Sequence, residues 1–490
     1  MTNAENLPVL TGGRPRMFWN LLFLTSLGAV LCTGPYFWLA RIGWVLLAIV
    51  CVLDQRYVIC SVFFFSAFFH PAGFNTLLPL TIKHFHLAIG LTLVVQTIKN
   101  PFLCEFKTSL EQERHFLPIL LVLLIGLVNY ERFNPGVAAL RTPLNLLLVL
   151  LMMIYFSKVL GARLLEHGGG ILKLGMSFFT FGIFVQLVIS FYNLVFSTNV
   201  LNLHLLHNNH LGILCAFGIF YGMALEAGER PGMVRMSCLI INVTLIAGIV
   251  ASCSRTAWFS FLFAFAAFSF LSRRQIVAFS LPKTFRINRR KILFFLLLTS
   301  VLLSLVSNTI FRRFYYMPQL LDPNYWNYTV HDHQNFGFLG IYRLNGLHLF
   351  HQILLRRPVL GEGFSHQVTD IHGLYFMLTA GAGLAGLGSL LYFFARLLNG
   401  LTGVMKERRP DWPPFLEISI FCSLLVWVMS SFMETFVLQF FVWIQPMLAA
   451  VVIEFARSAE FKKQSSEGLI QPVPVEPDRN REGETTWSNL

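Results

Sequence analysis

Charge is what this chain has least of. Charged residues make up 12% of its 490 positions, about half the roughly 25% carried by soluble domains. That leaves too little polar surface to cover a water-soluble globule, which excludes that class. Acid is scarcer than base, with 24 Asp and Glu against 37 Lys and Arg. Paired cysteines are missing too. Cys32, Cys51, Cys60, Cys104, Cys215, Cys238, Cys253 and Cys422 lie in or beside apolar runs with no CxxC spacing. Neither a disulfide frame nor a zinc site is supported. No P-loop, GxSxG, HExxH or dinucleotide-binding glycine pattern stands in a suitable context. The N-terminus shows no small-residue cleavage site after a short apolar segment, so the first apolar run is expected to be a retained helix.

What is present is apolar. Hydrophobic residues make up 55% of the chain, and apolar runs recur from residue 17 to residue 457. Many reach about 18 residues, the length that reads as a membrane-crossing helix. The expected fold is an all-α polytopic integral membrane protein with about 12–14 transmembrane helices. The runs at 57–70 and 85–98 are short for a span of about 20 residues. One membrane domain over 17–457 is expected, after a cytoplasmic N-terminus (1–16). A cytoplasmic tail (458–490), rich in Pro, Glu, Ser and Arg, should be disordered. The 50 phenylalanines read as lipid-facing and packing residues.

The net charge of +13 does not point to nucleic acid, because the positive residues sit in short loops between apolar runs and so act as topology determinants. Residues 273–291 hold seven positive charges and no acid, so they should be cytoplasmic. Counting outward from them leaves 131–136, 197–210, 252–255 and the long loop 309–371 on the external side. The polar stretch 308–388 holds six of the fourteen histidines. It runs into a long apolar helix at His372.

Several residues in these external segments could carry chemistry. Thr369-Asp370 can cap a helix from about Ile371, which puts His372 in the first turn. There the helix dipole favours the neutral imidazole, which can accept a proton from a hydroxyl. The alternative is an interfacial His bound to a loop carbonyl. Over 341–357, at about 100° per residue, Asn345, His348, Gln352 and Arg356 form a polar stripe. Leu347, Phe350 and Leu354 form the opposite face, and Arg343 falls on it. It needs a distant acid or an anionic ligand there, or it snorkels to water. Arg255, in SCSRTAW, stands at the external end of a span, as does Arg141 in FNPGVAALRTPLN. Both could point into one external cavity or anchor the interface. His207-Asn208-Asn209-His210 could line that cavity or cap a helix. His331-Asp332-His333 has no further carboxylate pattern to make it a metal site, and no metal or other cofactor is expected.

Three of these pieces together resemble the O-antigen ligase and O-antigen polymerase superfamily of bacterial envelope enzymes. That pattern has His, then Asn, Ser or Gln, nine residues, and GxxG. Here His372 is followed by Gly373, nine residues and Gly383-Leu384-Ala385-Gly386, with Gly373 in the amide or hydroxyl position. RLNGLHLFHQILLRRPVLGEGF is similar to the family's Arg-led loop helix and aligns Arg343. SRTAWFS is similar to its Ser-Arg helix start and aligns Arg255, with Phe259 in a Leu position. The likeness covers about 250–450; the first 200 residues match only in helix pattern.

The resemblance implies a metal-independent glycosyltransferase of the bacterial inner membrane, active on the periplasmic face. The donor would be a glycan on undecaprenyl diphosphate, with the diphosphate held by Arg255, Arg343 and Arg141. His372 would orient or deprotonate the acceptor hydroxyl. Ligation onto lipid A–core, polymerisation of repeat units or an exopolysaccharide, and protein O-glycosylation all fit. A transporter or flippase is a reading from another class, but it favours broken or charged helices near mid-membrane and internal repeats, which the sequence does not display.

Overall fold

The computed structural model describes residues 14–31, 37–67, 74–75, 81–82, 84–99, 112–133, 141–196, 208–229, 232–252, 254–279, 341–363, 373–406, 412, 415–431 and 440–466. Among them the helices run α1 (Arg14–Val30), α2 (Phe37–Leu53), α3 (Arg56–Ala67), α4 (His84–Lys99), α5 (Leu117–Phe133), α6 (Arg141–His167), α7 (Gly170–Phe196), α8 (Asn208–Gly228), α9 (Met233–Ala251), α10 (Arg255–Phe279), α11 (Ile341–Arg356), α12 (Leu374–Val404), α13 (Leu416–Ser430) and α14 (Phe440–Ser466). A 3-10 turn at Gln112–His115 precedes α5. A two-residue antiparallel pair, β1 (Phe74–Asn75) with β2 (Thr81–Ile82), is the extended structure among these residues.

Six described helices are long and apolar enough to cross a membrane: Leu147–His167, Gly170–Ser190, His210–Gly228, Met233–Ala251, Thr256–Arg273 and Leu374–Val404. Six shorter apolar helices of 10–17 residues accompany them, α3 and most of α4 included. The protein is therefore membrane-embedded and helical. The apolar run at 291–308 lies outside the described residues.

Outward faces are greasy. On α5, Leu117, Leu121, Leu124 and Val128 are all more than half exposed and follow a helical repeat, a stripe that suits lipid. Between helices, burial alone gives little drive in lipid, so close packing must supply it. Glycines accordingly stand where helices touch. A Cβ at Gly175 of α7 would meet the Phe63 ring of α3 at 2.6 Å, and one at Gly248 of α9 would meet Cys215 of α8 at 2.8 Å. Around the end of α13 and the start of α14, aromatic rings knit the last three helices. Trp427 lies 5.1 Å from Trp443 and 4.8 Å from Phe394 between ring centres.

Two expected boundaries were set too early. α14 continues to Ser466, nine residues past the expected end at 457 (466 − 457). The residues beyond a buried helix need no new nucleus, and Ala, Glu, Lys and Gln propagate it well. So 458–466 is helical where disorder was expected, and 467–490 lies outside the described residues. Similarly, α10 runs through Arg273 and Arg274 to Phe279, into the segment expected as a basic loop.

Candidate active site at one end of the helix bundle

Helix polarity decides which ends meet. α9 closes onto α10 through a tight turn. Ser254 caps α10: its Oγ accepts from the Ala257 amide at 3.2 Å and its carbonyl accepts from the Trp258 amide at 3.0 Å. Ser252 Oγ in turn accepts from the Ser254 amide at 3.2 Å. Gly212, in the first turns of α8, packs on this turn, since a Cβ there would lie 2.6 Å from Ser252 Oγ and Ala257 Cβ. The starts of α8 and α10 and the end of α9 therefore share one end of the bundle.

The same end receives the start of α12. Phe268, midway along α10, meets Phe415 before α13, with ring centres 6.1 Å apart. α13 thus runs against α10 and finishes beside the start of α10. There the Leu374 amide of α12 donates to the Ser431 carbonyl at 2.8 Å, and the Tyr375 hydroxyl donates to the Val428 carbonyl at 3.1 Å. The later half of α6 is tied to the later half of α12 through the 3-10 turn. Lys158 pairs with Glu113 at 3.4 Å, and Arg396 Nη1 donates to the Arg114 carbonyl at 3.2 Å. α6 must then start at the same end as α12.

Arg141 is the first residue of α6 and Arg255 the first of α10. Both helix starts therefore sit at the end where α12 begins. Their side chains lie outside the described residues. Arg343 is the third residue of α11, and its backbone can be located from the contacts of that helix. Phe350 meets Phe376 of α12 edge-on at 5.2 Å, and the Pro358 carbonyl accepts from the Leu384 amide at 2.8 Å. The second contact lies the same number of residues beyond the first on both chains. α11 and the first half of α12 therefore run side by side in the same sense. Two turns before Phe350, Arg343 falls on the α12-facing side, about 10 Å closer to the helix start. By the same register this is about 7 Å beyond Leu374, the first residue of α12. Ile353 is the buried centre of that face, with Phe350 and Leu354 half-buried and Arg356 exposed. The expected apolar face is thus rotated toward Ile353, and the polar side at Arg356 is as expected.

His372 lies outside the described residues, but the helix after it does not begin where the sequence suggested. α12 starts at Leu374, with Gly373 as its N-cap at φ 94 and ψ 121 and without a side-chain cap. A helix from Ile371 capped by Thr369-Asp370 is therefore overturned. Positive φ at Gly373 halts the helix, and this is a conformation that side-chain-bearing residues avoid. It also gives a reason for glycine where the resembled pattern has Asn, Ser or Gln. His372 precedes the cap.

One component went unread in the sequence. α12 is broken at Gly383, whose φ is 67 and ψ −164. Into this break goes the turn that follows α11, Arg357 to Gly363. The amides of Glu362 and Gly363 donate to the Ala380 and Gly381 carbonyls, both at 2.9 Å. The amides of Leu384 and Ala385 donate to the Pro358 and Val359 carbonyls at 2.8 and 3.2 Å. Together these four bonds satisfy the four groups of the two helical bonds lost at the break, Leu384 to Ala380 and Ala385 to Gly381. Asn129 of α5, itself buried, donates its side-chain amide to the Leu360 carbonyl. On its outer side this hairpin leaves Leu355, Val359 and Leu360 exposed beside Leu384. The segment expected as an external loop up to 371 therefore enters the break inside α12, where the two halves of the helix fold toward each other and bring the Tyr375 and Phe394 rings within 6.2 Å. The signals were in the sequence as a proline, two glycines and a GxxG, but nothing in their spacing says that they meet.

Ion pairs gather at the opposite end. Lys173 at the start of α7 holds Glu229 after α8 at 2.5 Å, and Glu226 faces Arg235 of α9 at 3.7 Å. Asp54 grips Arg56 between α2 and α3, and a cleft of about 170 Å³ joins this pair to Arg163 and His167 of α6. The bundle thus has a salt-bridged end and an end where four helix starts converge. Asn208 and Asn209 head α8 with His210 half-buried behind them, at the second of these ends. His207, His331, Asp332 and His333 lie outside the described residues. No protein-family model matches the chain, and no curated protein matches it.

Proposed function

We propose that the chain is a membrane glycosyltransferase of the bacterial inner membrane. It would move a glycan from undecaprenyl diphosphate to an acceptor hydroxyl at the periplasmic face, as in O-antigen ligation to lipid A–core. The observation that supports this reading most is the convergence of helix starts. The backbones of Arg141 and Arg255 and the α12-facing position of Arg343 share one end with the start of α12, which His372 precedes in sequence. Helix N-termini carry unpaired amides and partial positive charge. Arginines there would concentrate positive charge for a diphosphate without a metal.

In this reaction the acceptor oxygen attacks the anomeric carbon. The bond from that carbon to the phosphate oxygen breaks, and the diphosphate leaves with the electron pair. The acceptor proton passes to a ring nitrogen of His372. The arginines stabilise the charge that grows on the leaving group.

The test is transfer by purified protein from an undecaprenyl-diphosphate glycan, with lipid A–core or without a second acceptor. Product on the lipid supports ligation, and lengthened glycan supports the same-superfamily alternative, an O-antigen or exopolysaccharide polymerase. Absence of both, with glycolipid movement across vesicles, would make the chain a flippase. Within the active protein, Arg343→Ala is expected to lower turnover by about 10²–10³-fold. Arg343→Lys should recover only part, because an ammonium offers no bidentate fork to phosphate. Full turnover in the alanine variant would remove Arg343 from the site.

A further inference from the structure

We infer that Asn129 is a positioning residue for this site, acting through the hairpin it holds. The inference rests on the glycosyltransferase reading for its catalytic consequence and on the geometry alone for the latch.

Asn129 stands near the end of α5, a helix whose outer face is exposed to lipid while its inner face lies along α12. Its side chain is 9% exposed. A primary amide is costly to bury in an apolar surround unless it is bonded. Its partner is the Leu360 carbonyl, at the tip of the hairpin seated in the Gly383 break. Leu360 is the central residue between Pro358-Val359, which accept from α12, and Glu362-Gly363, which donate to it. The four bonds to α12 tie the hairpin to one helix. The Asn129 bond ties it to a second, so the hairpin is gripped from two sides. Val122, two turns earlier on α5, packs by Gly386 of α12, where an added Cβ would lie 3.6 Å from its Cγ1. α5 and α12 are thus in contact around the break, and Asn129 closes the triangle.

The hairpin is continuous with α11: the Arg357 amide donates to the Ile353 carbonyl at 2.8 Å and the Gly361 amide to the Arg357 carbonyl at 3.1 Å. No flexible joint separates the latch from the helix that carries Arg343. Shifting the hairpin along the break therefore shifts the height of Arg343 relative to the start of α12. Misplacement by about 1 Å costs up to about 10²-fold in rate where groups must be aligned. Asn129 touches no substrate in this scheme; it fixes the height of a helix.

Two variants separate the roles. Asn129→Leu keeps nearly the same volume and removes the donor. Asn129→Gln keeps an amide. Hydrogen exchange of amides 361–363 and 384–385 in lipid nanodiscs reads the latch without any substrate, and glycan transfer reads its consequence. In Asn129→Leu, exchange at these amides should quicken by about tenfold. Turnover should fall by about tenfold or more, with KM for the donor glycolipid within about twofold. Asn129→Gln should regain most of both. Unchanged exchange in the leucine variant would overturn the latch. Faster exchange with unchanged turnover would overturn positioning and leave Asn129 structural. A wild-type protein that transfers no glycan would overturn the functional reading, and positioning with it, while the exchange result would still decide the latch.

Discussion

His372→Ala is expected to abolish measurable glycan transfer, a loss of about 10²–10⁴-fold, the usual contribution of a positioned general base. The protein should remain membrane-inserted and folded, because the fixed contacts at this helix start belong to its neighbours. The Leu374 amide is held by the Ser431 carbonyl and the Tyr375 hydroxyl by the Val428 carbonyl, and neither uses the histidine. His372→Gln provides a sharper probe, since an amide can hold a hydroxyl in place but cannot take its proton. Orientation alone would leave the glutamine variant well above the alanine variant. Proton transfer would leave both equally poor. Turnover near that of wild type in His372→Ala would remove the proposed chemistry altogether.

The largest effect on stability is expected from Gly383→Ala. Backbone at φ 67 and ψ −164 is nearly closed to residues with a side chain and costs about 1–3 kcal/mol. Space is the harder limit. A Cβ at Gly383 would lie 2.1 Å from the Val359 carbonyl oxygen and 2.4 Å from the Leu360 nitrogen. Both are backbone atoms of the hairpin and cannot swing aside. The hairpin must leave the break, which strands amides and carbonyls where no water replaces them. We expect destabilisation of at least about 3 kcal/mol, seen as earlier thermal unfolding in nanodiscs, with lost transfer as a consequence. Gly388→Ala is the matched control, because a Cβ there meets nothing within 4 Å. It should be neutral or stabilising by about 0.5–1 kcal/mol. Equal unfolding temperatures for the two variants would refute a hairpin locked by Gly383.

The membrane class was readable because apolar runs of spanning length survive any detail of packing. Arg141 and Arg255 were legible as helix-end residues for a related reason: breaks between apolar runs reveal where helices start, and α6 and α10 begin with them. The start of α12 was misread because Thr369-Asp370 is also a good cap signal. It competed with Gly373, and the positive φ of Gly373 prevailed. The end of α14 was missed because polar residues after 457 look alike whether solvated in a helix or in a free chain. The hairpin was unreadable in principle. Its glycines and Pro358 signal a turn, and Gly383-Leu384-Ala385-Gly386 is compatible with a straight helix. Only contact between the two shows that one is the lining of the other.

Asn129 also carries a consequence for how the protein is made. Its partner lies 231 residues further along the chain, while the other hairpin bonds join segments separated by about twenty to thirty positions. Synthesis therefore delivers α5 long before anything can satisfy its amide. Through the production of at least the six helices described between them, α6 to α11, that amide must be kept with water, lipid headgroups or the insertion machinery. The break in α12 cannot close until its own second half has emerged. The last local step, hairpin into break, thus also follows the point at which a hydrogen bond left open since α5 can be met. A nascent chain halted before Leu360 should present α5 in a looser state than a chain released after Ala385.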